Sequence, residues 1–482
     1  MKLRTCRASY LVTLIAAARI LSAQEFRLST GAVDNQVFQQ SPSGTADLRL
    51  GGTASSLEGK NIEARLTQSG RALPRFGWKS LTSVGGATWS ADLKGVPVGG
   101  PYTLELRAPG ATPVLVKEIL VGDLWVLAGQ SNMEGVGNLV NVHSPDPRVH
   151  SFTMLEEWGI AKEPLHELRA ARDPVHWPST QTAPLTGEQL ASFRENRKKG
   201  AGLGLPFAAE MVKRTGVPVG LVPCAHGGTS MAQWDPALRD KGGDSLYGSM
   251  IRRVKAVGGQ VKGVLWYQGE SDANAKAEPL FREKFTELIA AVRSDFGSPD
   301  LPFYYVQLGR HIDANNVKFW NNVQNSQRLM ESSLKNVGVV AANDYELDDG
   351  IHVGTSGLKH LGAVRLANMA TSTGKPGPRV SGALYTAGAG NSGTVRVSFT
   401  GVNGSLKSAG RPTGFSVMNG EGDMVPLIYR TDLAGTDVIL QIGNKLPAGA
   451  TLGYGLGKDP YVNIVDEAGM GMLAFSGVAI TP

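Results

Sequence analysis

Four short stretches of this chain could together perform acyl transfer. In the first, Gly129-Gln130-Ser131-Asn132-Met133 follows the apolar run Leu124–Ala128. A buried strand ending this way delivers a hydroxyl to the carboxyl edge of a parallel sheet, where open α/β folds place their ligands. A serine hydroxyl is a poor nucleophile until an adjacent base takes its proton, so Ser131 needs partners. The second stretch is Cys224-Ala225-His226-Gly227-Gly228-Thr229-Ser230, whose paired glycines let the backbone approach a ligand and present its N–H groups. The third, Trp266-Tyr267-Gln268-Gly269-Glu270-Ser271-Asp272, offers a side-chain amide and two carboxylates.

The fourth is Asp348-Asp349-Gly350-Ile351-His352. Asp349 and His352 stand three apart across a glycine turn, so one carboxylate can orient the imidazole and leave its other nitrogen as a base for Ser131. An oxyanion hole is expected from the Ser131 amide, a glycine amide at Gly227 or Gly228, and the Gln268 side chain; each such donor contributes roughly 3 kcal/mol. Gly228 is the glycine favoured for that role. Glu270 is kept open as an alternative acid. Asn132, Gly227 and Trp234 are candidates for touching substrate, and Asp235, Trp320 and Gln327 could line the same site, with core packing an equal alternative for the two tryptophans. His166 and His226 lack an obvious orienting acid and are read as site walls, and Cys224 as a buried strand residue. No histidine, cysteine or carboxylate cluster has zinc-ligand spacing and no phosphate loop occurs, so neither metal nor cofactor is expected.

These residues need a frame to bring them together. From about residue 118, short apolar runs alternate with amphipathic helices, the pattern of βαβ units on a parallel sheet. The strands are Leu124–Ala128, Val219–Ala225, Gly263–Gln268, Phe303–Leu308 and Val337–Ala342. Helices are expected at about 203–215, 245–256, 278–296, 317–334 and 356–372. A flavodoxin-like three-layer α/β/α domain over 118–373 follows. Residues 138–200, rich in proline and glycine, break the rhythm and read as a structureless excursion over the site. On either side, residues 24–117 and 380–482 alternate with period two between turn clusters, as expected of β-sandwich-like domains. Gly374-Lys375-Pro376-Gly377-Pro378 reads as a linker.

Composition narrows the partners. The 482 residues carry a formal charge of +6, but Lys2, Arg4, Arg7 and Arg19 lie in a leading segment without acidic residues, and the remainder has little excess charge. No basic stripe is left to bind nucleic acid. The leading segment, basic and then apolar over Tyr10–Leu21 and ending Ser22-Ala23, reads as a signal peptide over 1–23. The protein is therefore expected to be secreted or periplasmic, with no stable membrane span. Cys6 would leave with the signal, so Cys224 stands alone. Oligomeric state is not legible.

G-Q-S-N-M, the G-G-T-S turn, W-Y-Q-G-E-S-D and D-x-x-H, in this order, resemble the SGNH-type carbohydrate esterases. Glu163-Pro164-Leu165-His166, Gly220-Leu221-Val222-Pro223-Cys224 and the Leu265–Asp272 run are similar to carbohydrate esterase family 6, which includes acetylxylan esterases. Asp34-Asn35-Gln36-Val37-Phe38-Gln39-Gln40, and Gly453-Tyr454-Gly455 with Pro460 and Asn463, look like sialate O-acetylesterase-like proteins. The resemblance implies Ser131 as nucleophile, His352 as base, Asp349 as orienting acid, and Gln268 with the glycine turn as oxyanion donors. In some members the glutamate at the position of Glu270 is considered the acid. It also implies an O-acetylated carbohydrate as substrate, acetylxylan-like first and O-acetyl sialic acid second. A carbohydrate-binding protein without turnover is the rival from another class. The chain departs from the common pattern after His352, where Val353 stands in place of proline.

Overall fold

The computed structural model describes residues 25–313, 317–372 and 374–482; the expected signal peptide, with Cys6, lies outside them. Its centre is a sheet of six parallel strands: β1 (Val114–Gly129), β2 (Val149–Phe152), β3 (Val219–Pro223), β4 (Gly263–Tyr267), β5 (Phe303–Val306) and β6 (Val337–Val340). They run in the spatial order β2-β3-β1-β4-β5-β6, with Trp158–Ile160 added antiparallel outside β2. The five strands expected from the sequence thus take the doubly wound order 2-1-3-4-5. The direction of winding reverses between β1 and β4, the strands that lead to Ser131 and Glu270.

Side-chain alternation sends successive residues of each strand to opposite faces, so a sheet apolar on both faces needs two helical layers. Trp125 of β1 packs edge-on against Phe207 of α2 (Gly204–Thr215; α1 is Ser131–Glu134, below). Trp266 of β4, opposite in phase, stacks on Phe285 of α4 (Phe281–Asp295; α3 is Leu246–Ala256). A fifth helix, α5 (Val317–Ser333), packs on α4 and β6. The last expected helix is present over residues 355–371, with a π-helical turn at Leu361–Leu366. One apolar core runs through all these elements.

The excursion is not structureless. It supplies β2, a helix at Gly187–Asn196 and the short strand Lys199–Ala201. β2 reads Val-His-Ser-Phe, too short and too polar for its periodicity to announce a central strand, yet all four residues are buried.

The N-terminal residues form two antiparallel sheets over one core. Leu48 and Leu50 come from one sheet; Ile62, Leu66, Leu104 and Val116 come from the other. The second sheet includes the first half of β1: Gly99–Arg107 pairs antiparallel with Val114–Val121, and Val37–Gln39 runs parallel to Leu120–Gly122. The junction expected between 117 and 118 therefore falls inside one unbroken strand. The C-terminal residues differ from the expected sandwich. Eight strands form a single hydrogen-bonded sheet around its own core, because Arg379–Ala387 pairs with Phe475–Thr481 and ties together what would have been two facing sheets. This sheet docks through buried polar contacts: Gln307 exchanges hydrogen bonds of 2.8 and 2.9 Å with the Ala474 backbone. Arg365, fully buried, donates to Asp344 and to the Gly469 carbonyl. Among the described residues no helix is long and apolar enough to cross a membrane.

Candidate active site

β1 ends on Gly129, whose φ of +130° and 2.2 Å approach of a built Cβ to the Tyr267 carbonyl leave room only for glycine. The chain then turns into α1. Ser131 is the first residue of that turn, 9 % exposed, and the opening amides of a helix have no partner within it. Its Oγ lies 2.9 Å from His352 Nε2.

The other imidazole nitrogen, Nδ1, lies 2.9 and 2.8 Å from the two Asp349 oxygens. Asp349 Oδ1 also accepts from the Ile351 and His352 amides, the local turn that an Asp two or three residues ahead can build. Lys199 Nζ donates to Oδ2 at 2.9 Å. Burial pushes the Asp349 carboxyl up, but the lysine, the imidazole and the two amides prevail and hold it well below the usual carboxylate range. Asp349 therefore stays ionised beside His352, and Ser131, His352 and Asp349 form one hydrogen-bonded line.

The glycine turn lies against Ser131. A Cβ on Gly227 would come 3.4 Å from Ser131 Cβ and 3.0 Å from Glu134 Oε2, and the Gly227 amide already donates to that oxygen at 2.8 Å. The Gly228 amide makes no hydrogen bond among the described residues, and Gly228 is exposed. Of the two glycines it is the one free to meet an oxyanion.

Several expected contacts are not made. Gln268 is fully buried, and its amide nitrogen donates to the Thr229 carbonyl at 3.0 Å and to Asp272 Oδ2. With both hydrogens spent inside the protein it cannot serve the oxyanion. Asn132 is 1 % exposed and its polar atoms are engaged with Glu270, Ile351 and Val353, which removes it from substrate contact. Trp234 is fully buried, stacks edge-on with Trp266 and donates to Thr229 Oγ1 at 3.0 Å. Trp320 and Gln327 are buried core residues bonded to the Gly309, Leu308 and Gln268 backbone, while Asp235 caps a turn at Ala237. Glu270 bonds Asn132 and Gln130; His352 Nδ1 is taken by Asp349 instead.

Cys224 is buried and burial pushes its thiol up to about 11, which suits no nucleophile. His226 stacks on His176 at 5.4 Å. His166 is buried with both ring nitrogens unpaired, and burial lowers it to about 3.

Sequence reasoning missed two polar partners. Burial raises Glu134 to about 7, against the pull of the Gly227 amide and the charge of Arg197. Its only sequence signal is its place one turn after Ser131. Lys199 sits in a charged stretch that reads as solvated surface. A cleft of about 650 Å³ is lined by residues next in the chain to Lys199 and Asp349, its walls including Asn138, Val140, Arg197, Lys198, Asp348 and Thr355.

The match of residues 121–372 to a family model places the chain in a class, the carbohydrate esterases. More particularly, the chain belongs to the family described as carbohydrate esterase, sialic acid-specific acetylesterase, which matches residues 121–372, just over half its length. A probable carbohydrate esterase of Arabidopsis thaliana is 27% identical over 273 residues, 52% of this chain and 91% of that protein. Sialate O-acetylesterase of Rattus norvegicus is 25% identical over 351 residues, 60% of this chain and 61% of the rat protein; the chain thus spans less than two thirds of that relative. A carbohydrate acetylesterase from Xanthomonas citri shares the fold, with a TM-score of 0.63 at 22% identity over 94% of this chain and 99% of that one.

Proposed function

We propose that this protein is an exported carbohydrate O-acetylesterase of the SGNH type that works as a serine hydrolase. The observation that carries the reading is the line of bonds from Ser131 Oγ through His352 to Asp349. His352 Nε2 takes the Ser131 proton as Oγ attacks the acetyl carbonyl, and Asp349 holds the imidazole and balances its charge. The oxyanion of the tetrahedral intermediate is met by the Ser131 and Gly228 amides. On collapse, His352 returns the proton to the departing sugar oxygen and the acetyl group stays on Ser131. Water deprotonated by the same imidazole then frees acetate and restores the serine. No cofactor enters these steps.

For the substrate, family membership favours O-acetylated sialic acid over acetylxylan. Arg197, whose charge reaches Glu134, and Lys198 line a cleft together with Asp348, and their positive charge supports an anionic sugar over a neutral one. Export rests on the signal peptide read over residues 1–23. The outer β-rich regions, the first of them continuous with the catalytic region through β1 and the second spanning 380–482, brace the catalytic one.

Acetate release from O-acetylated sialic acid and from acetylxylan, measured side by side, tests the substrate; faster release from xylan reverses the ranking. Hydrolysis of p-nitrophenyl acetate by the wild type beside Ser131→Ala tests the mechanism. Equal rates would return the protein to the sugar-binding class.

A further inference from the structure

Two hydrogen-bonded connections join the nucleophile's turn to the loop that carries the base. One is the reacting pair itself, Ser131 Oγ to His352 Nε2. The other is made by the very next residue. Asn132 Oδ1 accepts from the Val353 amide at 3.0 Å, and Asn132 Nδ2 lies 3.5 Å from the Ile351 carbonyl. The side-chain amide therefore grips the backbone on both sides of His352, so sliding the imidazole along its loop means breaking that grip. Val353 makes this possible, because a proline there would have no N–H to give.

A planar amide holds two partners in register only if its own plane is fixed, and Glu270 fixes it. Asn132 Nδ2 donates to Glu270 Oε1 at 2.9 Å. With its side-chain amide turned so that the nitrogen faces them, Gln130 donates to Glu270 Oε2 at 3.2 Å and to the Thr229 carbonyl at 3.1 Å. Glu270 stands just after β4 and so ties the nucleophile's turn, through residues 130 and 132, to the neighbouring strand end. The carboxylate touches neither Ser131 nor His352 in any hydrogen bond of the described residues.

We infer that Asn132 and Glu270 are a coupled pair of positioning residues: Glu270 sets the plane of the Asn132 amide, and Asn132 sets the position of His352 relative to Ser131. The inference rests on the proposed roles of Ser131 and His352. It gives Glu270 a task other than that of an acid on the imidazole. A displacement of about 1 Å at a reacting pair can cost on the order of 10²-fold in rate, which is the scale of effect available to such a pair.

The test is steady-state hydrolysis of p-nitrophenyl acetate by the full chain, with melting curves confirming that each variant is folded at the assay temperature. Asn132→Asp keeps the acceptor for Val353 but puts a carboxylate against Glu270; kcat is expected to fall about 30-fold with KM within about 2-fold. Glu270→Gln alone keeps an acceptor for Asn132 and is expected to stay within about 3-fold of wild type. Combining the two substitutions reverses the polarity of the bond, since the amide introduced by Glu270→Gln can donate to the carboxylate introduced by Asn132→Asp. The combined variant is expected to recover at least about 5-fold of the lost kcat. Glu270→Ala should lose about 10-fold alone and less than about 2-fold more in an Asn132→Ala background, because coupled residues are not additive.

Multiplying losses, an absent rescue in the combined variant, or a loss confined to KM would each overturn the pairing. So would wild-type kcat in Asn132→Asp. Ser131→Ala separates the two levels: if it is inactive while the Asn132 variants behave as wild type, only the pairing fails. If Ser131→Ala is as active as wild type, the site itself has been misread.

Discussion

Asp349 and Glu270 both stand close to the proposed reacting pair, Ser131 and His352, and their surroundings differ in almost every respect. Asp349 lies in a glycine turn, more than a third exposed, between a lysine and an imidazole. Burial, the largest influence, and the nearby Asp272 charge raise Glu270 to about 7 against the pull of the Asn132 bond. A strongly shifted carboxyl in a cleft is often taken as the sign of a catalytic acid. Here the carboxyl raised by burial faces side-chain amides, and the one held low faces the base. What separates them is which group each oxygen touches.

Substitution should separate the two sharply. Asp349→Asn leaves the turn in place but offers the imidazole an amide instead of a charge, and kcat on p-nitrophenyl acetate should drop about 10³–10⁴-fold. A comparable drop in Glu270→Gln, with Asp349→Asn near wild type, would invert the comparison. Next in size is Glu134→Ala. It releases the Gly227 amide and lets the glycine turn drift, and should lower kcat about 10-fold, less than the ~10²-fold for losing an oxyanion donor outright. Wild-type kcat in that variant would show that the turn holds its own shape.

Lys199→Met removes the cation from Asp349 Oδ2 while the imidazole and both amides remain. An exposed pair of this kind contributes little, so a fall of only about 2- to 5-fold is expected, shrinking further as salt is added to the wild type for comparison. The smallest effect is on stability. A carboxyl raised above its unfolded value binds its proton more tightly when folded. Glu270 therefore weakens the fold progressively as pH rises from the ordinary glutamate value, near 4.5, through about 7. Glu270→Gln removes that penalty and should melt ~2–4 °C higher than wild type at pH 8, with the gap closing near pH 4.5. A gap independent of pH would mean that Glu270 is not the group that titrates.

The same contrast explains what could be read from the chain alone. Asp349 and His352 were legible because their contact is local, three residues apart in one turn. The strand-to-turn pattern at Ser131 was legible because β1 is apolar on both faces and stops abruptly. Gln268 looked like a donor because it ends a strand in a polar stretch. Only the packing of β4 decides that it points inward to Thr229 and Asp272. Glu134 and Lys199 find their partners 93 and 150 residues away, and nothing in their neighbourhoods announces those partners. The five strands were legible from the alternation of strands and helices, while their spatial order comes from the pairing itself. β2 did not, since four residues with two polar side chains carry no periodicity.

The unbroken strand that ends at Gly129, two residues before Ser131, has a consequence for dissection of the molecule. Leu120 and Val121 are fully buried, and they are covered from the N-terminal side by Val37–Gln39 and Gly99–Arg107. A cut before residue 118 would strip both neighbours from the first half of that strand and leave an apolar ribbon with bare amides and carbonyls, the kind of edge that recruits other chains. The esterase core is therefore not a detachable cassette. Any graft or truncation that keeps the nucleophile soluble has to carry the N-terminal sheet with it.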